Sequence, residues 1–315
     1  MINEVQTFRI WAPPKGLKLN KKAEIFINNA DKSRDLFLDI SQESEIVGFN
    51  LELLKDFKSV TARIGIYNLD HPDHQEWLKY CKVECWPNYF LYHAMANAPT
   101  SPIEKSYSTE IKYLFTCMNH RPHMHRCYFM DILSKHKLLK HNPYTWHKKS
   151  DYYQWSHWKQ KIRTLDGPFR GQQNVFPEAM YQSVFDLVTE TMVKYPFITE
   201  KTYNAILFKK PFIVYGCAGL YGYLESIGYK FNRDVINFSF DKQQNSGARA
   251  IMIAGELKRL SKYNLQELHE LLRETTEHNY NLALEQLGNR SGVPPSAMQD
   301  DKYYSMIEGC AKKWK

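Results

Sequence analysis

Two short stretches combine residue types that could bind an anion. The first is FTCMNHRPHMHR, residues 115 to 126, where an apolar run ends in a polar, histidine-rich turn closed by Arg126. The second is PFITEK, residues 196 to 201, where Thr199, Glu200 and Lys201 precede a short apolar helical pattern. The guanidinium of Arg126 is a planar fork that matches phosphate oxygens, and Lys201 is a point charge that can neutralise one. Glu200 falls in the first turn of a helix, where a carboxylate is tolerated and can accept hydrogen bonds from ribose hydroxyls. Thr199 suits the N-cap. One acid for a sugar and two cations for a diphosphate make a set fit for a nucleotide diphospho-sugar. A plainer reading stands beside it, with Thr-Glu-Lys as a cap followed by a solvated turn and Arg126 as a surface arginine.

The elements that position these residues can be read from periodicity. Residues 111 to 119 form a buried strand, followed by a helix that starts near Arg126 and runs from Cys127 to Lys140. Residues 181 to 190 are a second strand. A helix from Glu200 to Phe208, a strand from Phe212 to Tyr215 and a helix from Leu220 to Ser226 follow, the last stopped by Gly228. Strands and helices alternating over short loops imply a parallel sheet covered on both faces. In such sheets ligands bind beyond the carboxyl ends of the strands, where both stretches fall.

Upstream, residues 23 to 30 and 36 to 40 read as strands, 60 to 69 as an alternating strand and 77 to 81 as a short helix. Ala98 to Pro102 is a loop signal and the expected domain boundary, giving domains 1–105 and 106–290 and a tail 291–315. Residues 144 to 175 read as irregular. Asn264 to Leu287 reads as one long amphipathic helix capped by Asn264. The GVPPSAMQDD stretch reads as a loop leading to a small aromatic and basic tail. No internal repeat or low-complexity tract stands out.

Composition narrows the classes. The chain has 315 residues, 43% hydrophobic and 14% aromatic, which suits two folded domains. No apolar run is long enough for a membrane span, and the first residues lack the pattern of a secretory signal. The six cysteines are scattered without a CxxC pair, as expected for reduced thiols in the cytoplasm. Cys81 and Cys85, four apart, could share a helix face as small core residues. The net charge is +8, and residues 112 to 163 carry eleven Lys or Arg against two Asp, so the rest is about neutral. Such a segment suits an anionic partner, whether a nucleotide, a nucleic acid or an acidic surface. His120, His123 and His125 fit neither a zinc finger nor a HExxH helix, so they read as lining a phosphate site, with no metal expected.

Residues 115 to 241 resemble the nucleotide-binding half of the alpha-1,3-fucosyltransferase family, and more closely its short relatives in phages and bacteria. The family carries a strand ending in Ser-Asn with an Arg seven residues on; Asn119 and Arg126 keep that spacing. It carries Phe-Glu-Asn, then Thr-Glu-Lys ten residues later; Glu190 and Glu200 keep that one. PFIVYG, the small-residue turn at Cys217 to Gly219, Phe240-Asp241 and Arg249 resemble later family positions. The sequence departs at Thr191, where the family has Asn, and at Met118, where it has Ser.

The resemblance implies an α/β, GT-B-like architecture of two facing Rossmann-like domains with the donor held by the second. It implies donor binding by Asn119, Arg126, Glu190, Thr199, Glu200 and Lys201, with Glu200 on ribose and Arg126 and Lys201 on the diphosphate leaving group. It implies an inverting sugar transfer with no metal and no cofactor beyond the nucleotide-sugar; no Asp-x-Asp motif is present. The general base should be an N-terminal carboxylate, for which Asp70, in a polar turn with Asp73 and Glu76, is the choice. The acceptor would be a glycan or another small hydroxyl compound. A second reading takes modified bases in phage DNA as acceptor, since ten aromatic residues interleave with basic ones from Tyr113 to Trp158. A third keeps the fold as a binding protein without catalysis.

Overall fold

The computed structural model describes residues 5–9, 19–41, 50–97, 110–119, 123–146 and 178–314. In chain order its elements begin with β1 (Gln6–Arg9), α1 (Leu19–Asn29), β2 (Leu36–Ile40), β3 (Val60–Ile64), α2 (Pro72–Trp77), β4 (Lys82–Cys85) and α3 (Tyr89–Asn97). They continue with β5 (Tyr113–Asn119), α4 (Met124–Lys135), β6 (Tyr144–Trp146), α5 (Glu178–Tyr181), β7 (Ser183–Thr189), α6 (Glu200–Leu207) and β8 (Phe212–Tyr215). The last are α7 (Leu220–Ser226), α8 (Ser246–Leu260), α9 (Leu265–Leu271), α10 (Arg273–Gly288), α11 (Pro295–Met298) and α12 (Asp301–Lys313). The chain divides into two compact units. One holds residues 1–90, 195–198 and 292–305; the other holds 91–194, 199–291 and 306–315.

The first unit is built on a four-stranded sheet in the order β1-β2-β3-β4, with every pair parallel. Leu36, Leu38 and Ile40 on β2 and Ala62 and Ile64 on β3 fill its core. At the carboxyl end of this sheet lies a buried charge, Arg63, with no exposed surface. Its Nη2 lies 3.2 Å from Asp39 Oδ2, its Nε donates to Ser41 Oγ at 3.0 Å and its Nη1 to Ser296 Oγ at 3.1 Å. The guanidinium also lies over the rings of Phe37, Trp86 and Tyr303. Asp39 is held below the usual carboxylate range. Burial works against its charge, but Arg63 and the hydroxyls of Ser41 and Tyr303 outweigh it.

The second unit has a sheet in the order β6-β5-β7-β8, again all parallel. All seven residues of β7 and all four of β8 are buried, as expected of strands covered on both faces. The strand order matters for function. After β5 the chain steps to β6 on one side, then returns to place β7 on the other, so the direction of winding reverses between β5 and β7. The first sheet, laid down in simple succession, has no such reversal among its described strands.

Several sequence expectations change. Residues 23 to 29 are helical, not extended: Ala23 and Ile27 are buried four apart while Ile25 is exposed, which is the helical period. The strand expected over 60 to 69 stops at Ile64. A Cβ on Gly65 would lie 2.3 Å from the Ser41 carbonyl oxygen, so the chain can make this close approach only as glycine. The helix expected over 77 to 81 lies earlier, at Pro72–Trp77, started by Pro72 and by His71, whose ring nitrogen accepts from the Asp73 N–H. Cys85 accordingly ends β4, and none of the six cysteines is joined in a disulfide.

The helix expected to reach Lys140 ends at Lys135, and a left-handed Lys137 leads into a separate 3-10 turn at Leu138–Lys140. Tyr144–Trp146 pairs with β5 where irregular chain was expected. The long helix over 264 to 287 is broken at Leu272. Its N–H turns back to the His269 carbonyl, and the hydroxyls of Thr275 and Thr276 both donate to its own carbonyl. Short α11 interrupts the expected loop, and the tail is helix α12, with Asp301 in its first turn and Lys312 and Lys313 in its last. The expected boundary at 98 to 102 and most of the aromatic stretch after Trp146 lie outside the described residues.

The Arg63 network should dominate the stability of the first unit. Arg63→Ala removes the nearer and fully buried of the two cations at Asp39, leaving Arg9 at 3.7 Å, and is expected to cost about 3 kcal/mol. Gly65→Ala should cost about 1–3 kcal/mol by overpacking against Ser41. Urea unfolding followed by tryptophan fluorescence measures both.

Candidate functional site

The winding reverses between β5 and β7, and the carboxyl ends flanking such a reversal are the position where open parallel sheets hold their ligands. Asn119 ends β5, Thr189 ends β7, and Glu190 follows it. One hydrogen bond spans the reversal: Thr189 Oγ1 donates to Asn119 Oδ1 at 2.5 Å. The Asn119 backbone is tied on the other side to Thr145 Oγ1 of β6, at 2.9 Å from its N–H. Asn119 is therefore a buried tie across three strand ends.

Arg126 sits in the first turn of α4, which begins at Met124. Its guanidinium is buried, 3% exposed, and Nη2 donates to the Thr189 carbonyl at 2.9 Å. The preceding His125 approaches the Glu190 carbonyl with Nε2 at 3.0 Å; a carbonyl only accepts, so Nε2 carries the proton. His123, at the cap position of α4, stacks flat on His125 with ring centroids 5.7 Å apart and gives no capping hydrogen bond. His120 lies outside the described residues. Arg126 and His125 thus both close on the backbone at the end of β7.

Glu190 is wholly buried and accepts four hydrogen bonds. Oε1 takes the Thr199 N–H at 3.0 Å and the Thr202 hydroxyl at 2.6 Å. Oε2 takes the Thr199 hydroxyl at 2.5 Å and the Thr191 N–H at 3.2 Å. The start of α6 is fastened to the end of β7 by this one side chain. Thr199 is the N-cap, as its position suggests, and its Oγ1 accepts from the Lys201 N–H at 3.4 Å.

Glu200 and Lys201 follow on the first turn of α6. Lys201 Nζ donates to Glu200 Oε1 at 2.7 Å, to Thr199 Oγ1 at 3.1 Å and to Thr191 Oγ1 at 3.3 Å. The lysine side chain is 31% exposed and the glutamate 10%. Burial works to raise the Glu200 carboxyl, but the charge and hydrogen bond of Lys201, its own backbone N–H and His93 hold it below the ordinary range. Of the six expected donor-binding residues, the structure thus gathers Asn119, Arg126, Glu190 and Thr199 around the end of β7 as internal ties. It leaves the Glu200–Lys201 pair at the rim.

A second tie lies one strand over. Arg249 on α8 is buried; its Nε donates to the Gly216 carbonyl at 2.9 Å and its Nη2 to the Val193 carbonyl at 3.0 Å. Asp241 caps the start of α7, with Oδ1 accepting from the Tyr221 N–H and Oδ2 from the Gly222 N–H. Sequence reasoning missed Thr202 and His93. Thr202 sits one turn into a helix and gives no outward sign of its role. His93 is far away in the chain, on α3, and carries no local pattern.

Asp70 belongs to the first unit and is exposed on the turn before α2, its N–H directed to Asn68 Oδ1 at 3.4 Å. Its neighbour Asp73 accepts from the Tyr195 hydroxyl at 2.5 Å, and the rings of His71 and His74 pack on Tyr195. Among the described residues no group of three His, Cys, Asp or Glu is placed to hold a metal ion. Among them, too, no helix is long and apolar enough to cross a membrane.

Compared with known proteins, the chain matches no family model and no curated sequence. Among solved structures it is similar to a crystal structure of an alpha1,3-fucosyltransferase, at 15% identity over 87% of this chain and 80% of that one, with a TM-score of 0.41. It is also similar to an alpha1,3-fucosyltransferase crystallised with GDP, at 13% identity over 89% and 91%, with a TM-score of 0.37.

His125 makes the site pH-sensitive in a defined direction. Burial, with smaller contributions from Arg126 and His123, pushes its imidazole down to about 4 from the ordinary 6.5. Between those values the unfolded chain binds a proton that the folded chain refuses, so stability falls as pH is lowered through that window. The full effect is at most roughly 3 kcal/mol. Urea unfolding between pH 4 and 7 should show stability falling less steeply with acidification in His125→Gln than in the wild type, the difference being the contribution of His125.

Proposed function

We propose that the protein is a glycosyltransferase that moves a sugar from a nucleotide diphospho-sugar to a hydroxyl acceptor, inverting the anomeric centre and using no metal. The observation that carries this reading is the position of the Glu200–Lys201 pair. It sits at the start of the helix that follows β7, beside the winding reversal of a parallel sheet, with Arg126 anchored behind the same strand end. The sequence motifs that resemble alpha-1,3-fucosyltransferases fall on these same residues, and their order along the sheet supports a GT-B-type donor unit.

In the proposed reaction the acceptor oxygen bonds to the anomeric carbon as the bond from that carbon to the diphosphate oxygen breaks. The nucleoside diphosphate leaves with the electron pair. Negative charge grows on it in the transition state, where Lys201 at the rim and the positive field of Arg126 and the α4 N-terminus stabilise it. Cations in these places supply the charge a metal would otherwise bring. Glu200, kept ionised by Lys201, accepts from the ribose hydroxyls. The acceptor's proton goes to a carboxylate, for which exposed Asp70 is the proposed base. The donor is a GDP- or UDP-sugar, the acceptor a glycan or small hydroxyl compound, and the site of action the cytoplasm.

A thermal-shift screen tests this directly. GDP or UDP at a hundredfold excess over its Kd should stabilise the chain by about 2.7 kcal/mol, seen as a rise in Tm of several degrees. Lys201→Ala should remove most of that shift and lower kcat/KM about 10²- to 10³-fold. Glu200→Ala should weaken binding about tenfold and abolish the preference for a ribonucleotide over its 2′,3′-dideoxy form. Absence of any shift with either nucleotide sinks the proposal.

A further inference from the structure

Glu190 could be nothing more than a cap, yet its bonding does something a cap does not require. Each of its two oxygens accepts one backbone N–H, from Thr199 on Oε1 and from Thr191 on Oε2. A backbone N–H can only donate, so both oxygens are acceptors, and an ionised glutamate has no hydrogen of its own to give. The hydroxyls of Thr199 and Thr202, at 2.5 and 2.6 Å, must then point their hydrogens at it. Thr199 has one hydroxyl hydrogen. With that spent on Glu190, its lone pairs remain, and they face the N–H and the Nζ of Lys201.

The consequence reaches the ammonium. Lys201 Nζ meets three oxygens, from Thr191, Thr199 and Glu200. It has three hydrogens to give. Two of those three oxygens belong to residues whose backbone N–H is fixed by Glu190. The second of them, Thr191, stands where the resembled family has Asn, so the departure in sequence supplies a hydroxyl that touches the cation.

We infer that Glu190 is a positioning residue for Lys201: through Thr199 and Thr191 it sets where the ammonium sits and presents it to the diphosphate. This rests on the reading of Lys201 as the phosphate-binding cation. Glu190 itself touches no substrate. Replacing it by Gln puts an amide among donors, so at least one N–H or O–H loses its acceptor and the Thr199 hydroxyl is free to turn toward Lys201.

The test is a pair of double-mutant cycles on the full chain, with binding of GDP or UDP, whichever gives the larger thermal shift, read by calorimetry. Glu190→Gln and Thr191→Val should each weaken binding about three- to tenfold in the wild-type background. In the Lys201→Ala background both effects should shrink to less than about twofold, because their route to the ligand is gone. Thr191→Ser, which keeps the hydroxyl, should restore wild-type affinity. Loss of folding stability from Glu190→Gln should instead be the same in both backgrounds, since capping does not need the lysine. Equal affinity losses with and without Lys201 overturn the inference and leave Glu190 a cap. Should Glu190→Gln fail to fold, the Thr191 cycle decides alone. A wild-type chain that binds neither nucleotide defeats the functional reading itself and this inference with it; a chain that binds without coupling defeats only the inference.

Discussion

Where β7 gives way to α6, buried backbone must leave a strand, cross a loop and enter a helix, and every N–H on the way needs an acceptor. The Glu190 carboxylate supplies several of them at once. It takes two N–H groups and two hydroxyls within a single buried side chain, and so fastens the loop at Thr191 and the helix at Thr199 to the same point. Around this point the other ties are arranged. Arg126 and His125 close on the carbonyls of Thr189 and Glu190, and Asn119 reaches Thr189 across the winding reversal.

The first unit solves a similar problem with the opposite sign. There a guanidinium is the buried charge, and it is satisfied by Asp39, by two serine hydroxyls and by three aromatic faces. Such a network is strongly destabilised by losing one partner, yet contributes little beyond what well-packed apolar residues would. Among its described strands the sheet has no reversal of winding of the kind found between β5 and β7. Two parallel sheets of the same size therefore differ in use: one has its carboxyl edge tied up by the chain's own residues 296 to 303, the other carries a charged rim.

Much of the second unit was legible in the sequence because its signals are local. The run from Phe212 to Tyr215 is bounded by Pro211 and Gly216, and observed β8 has those limits. Thr199 reads as a cap, Asn264 likewise, and both accept from the N–H groups expected. What stayed hidden depends on partners distant in the chain. The three residues of β6 are a strand through their pairing with β5, supported by side-chain bonds from Thr145 and the preceding Asn142. Helix α1 contains a short apolar run that suits either period, and burial decides between them. Glu190 was visible as a letter of a motif, but its four bonds were not, and Thr202 had no signal at all. The break at Leu272 comes from two threonine hydroxyls whose direction no hydropathy pattern contains.

The division of labour among the cations follows from where water can reach. Arg126 and Arg249 are buried and give their N–H groups to backbone carbonyls, so neither can leave without exposing unsatisfied peptide groups. Lys201 is different. Among the described residues its ionic partner is the neighbouring Glu200, which is nearly buried, while the lysine itself is about a third exposed and within reach of solvent. A diphosphate carries more charge than one carboxylate and can compete for the ammonium. If the hydroxyls of Thr191 and Thr199 keep Nζ in place during that exchange, the lysine changes its partner without changing its position. An ammonium already in place loses little freedom when the diphosphate binds, and that is the condition under which a single surface charge can favour a transition state as well as a ground state.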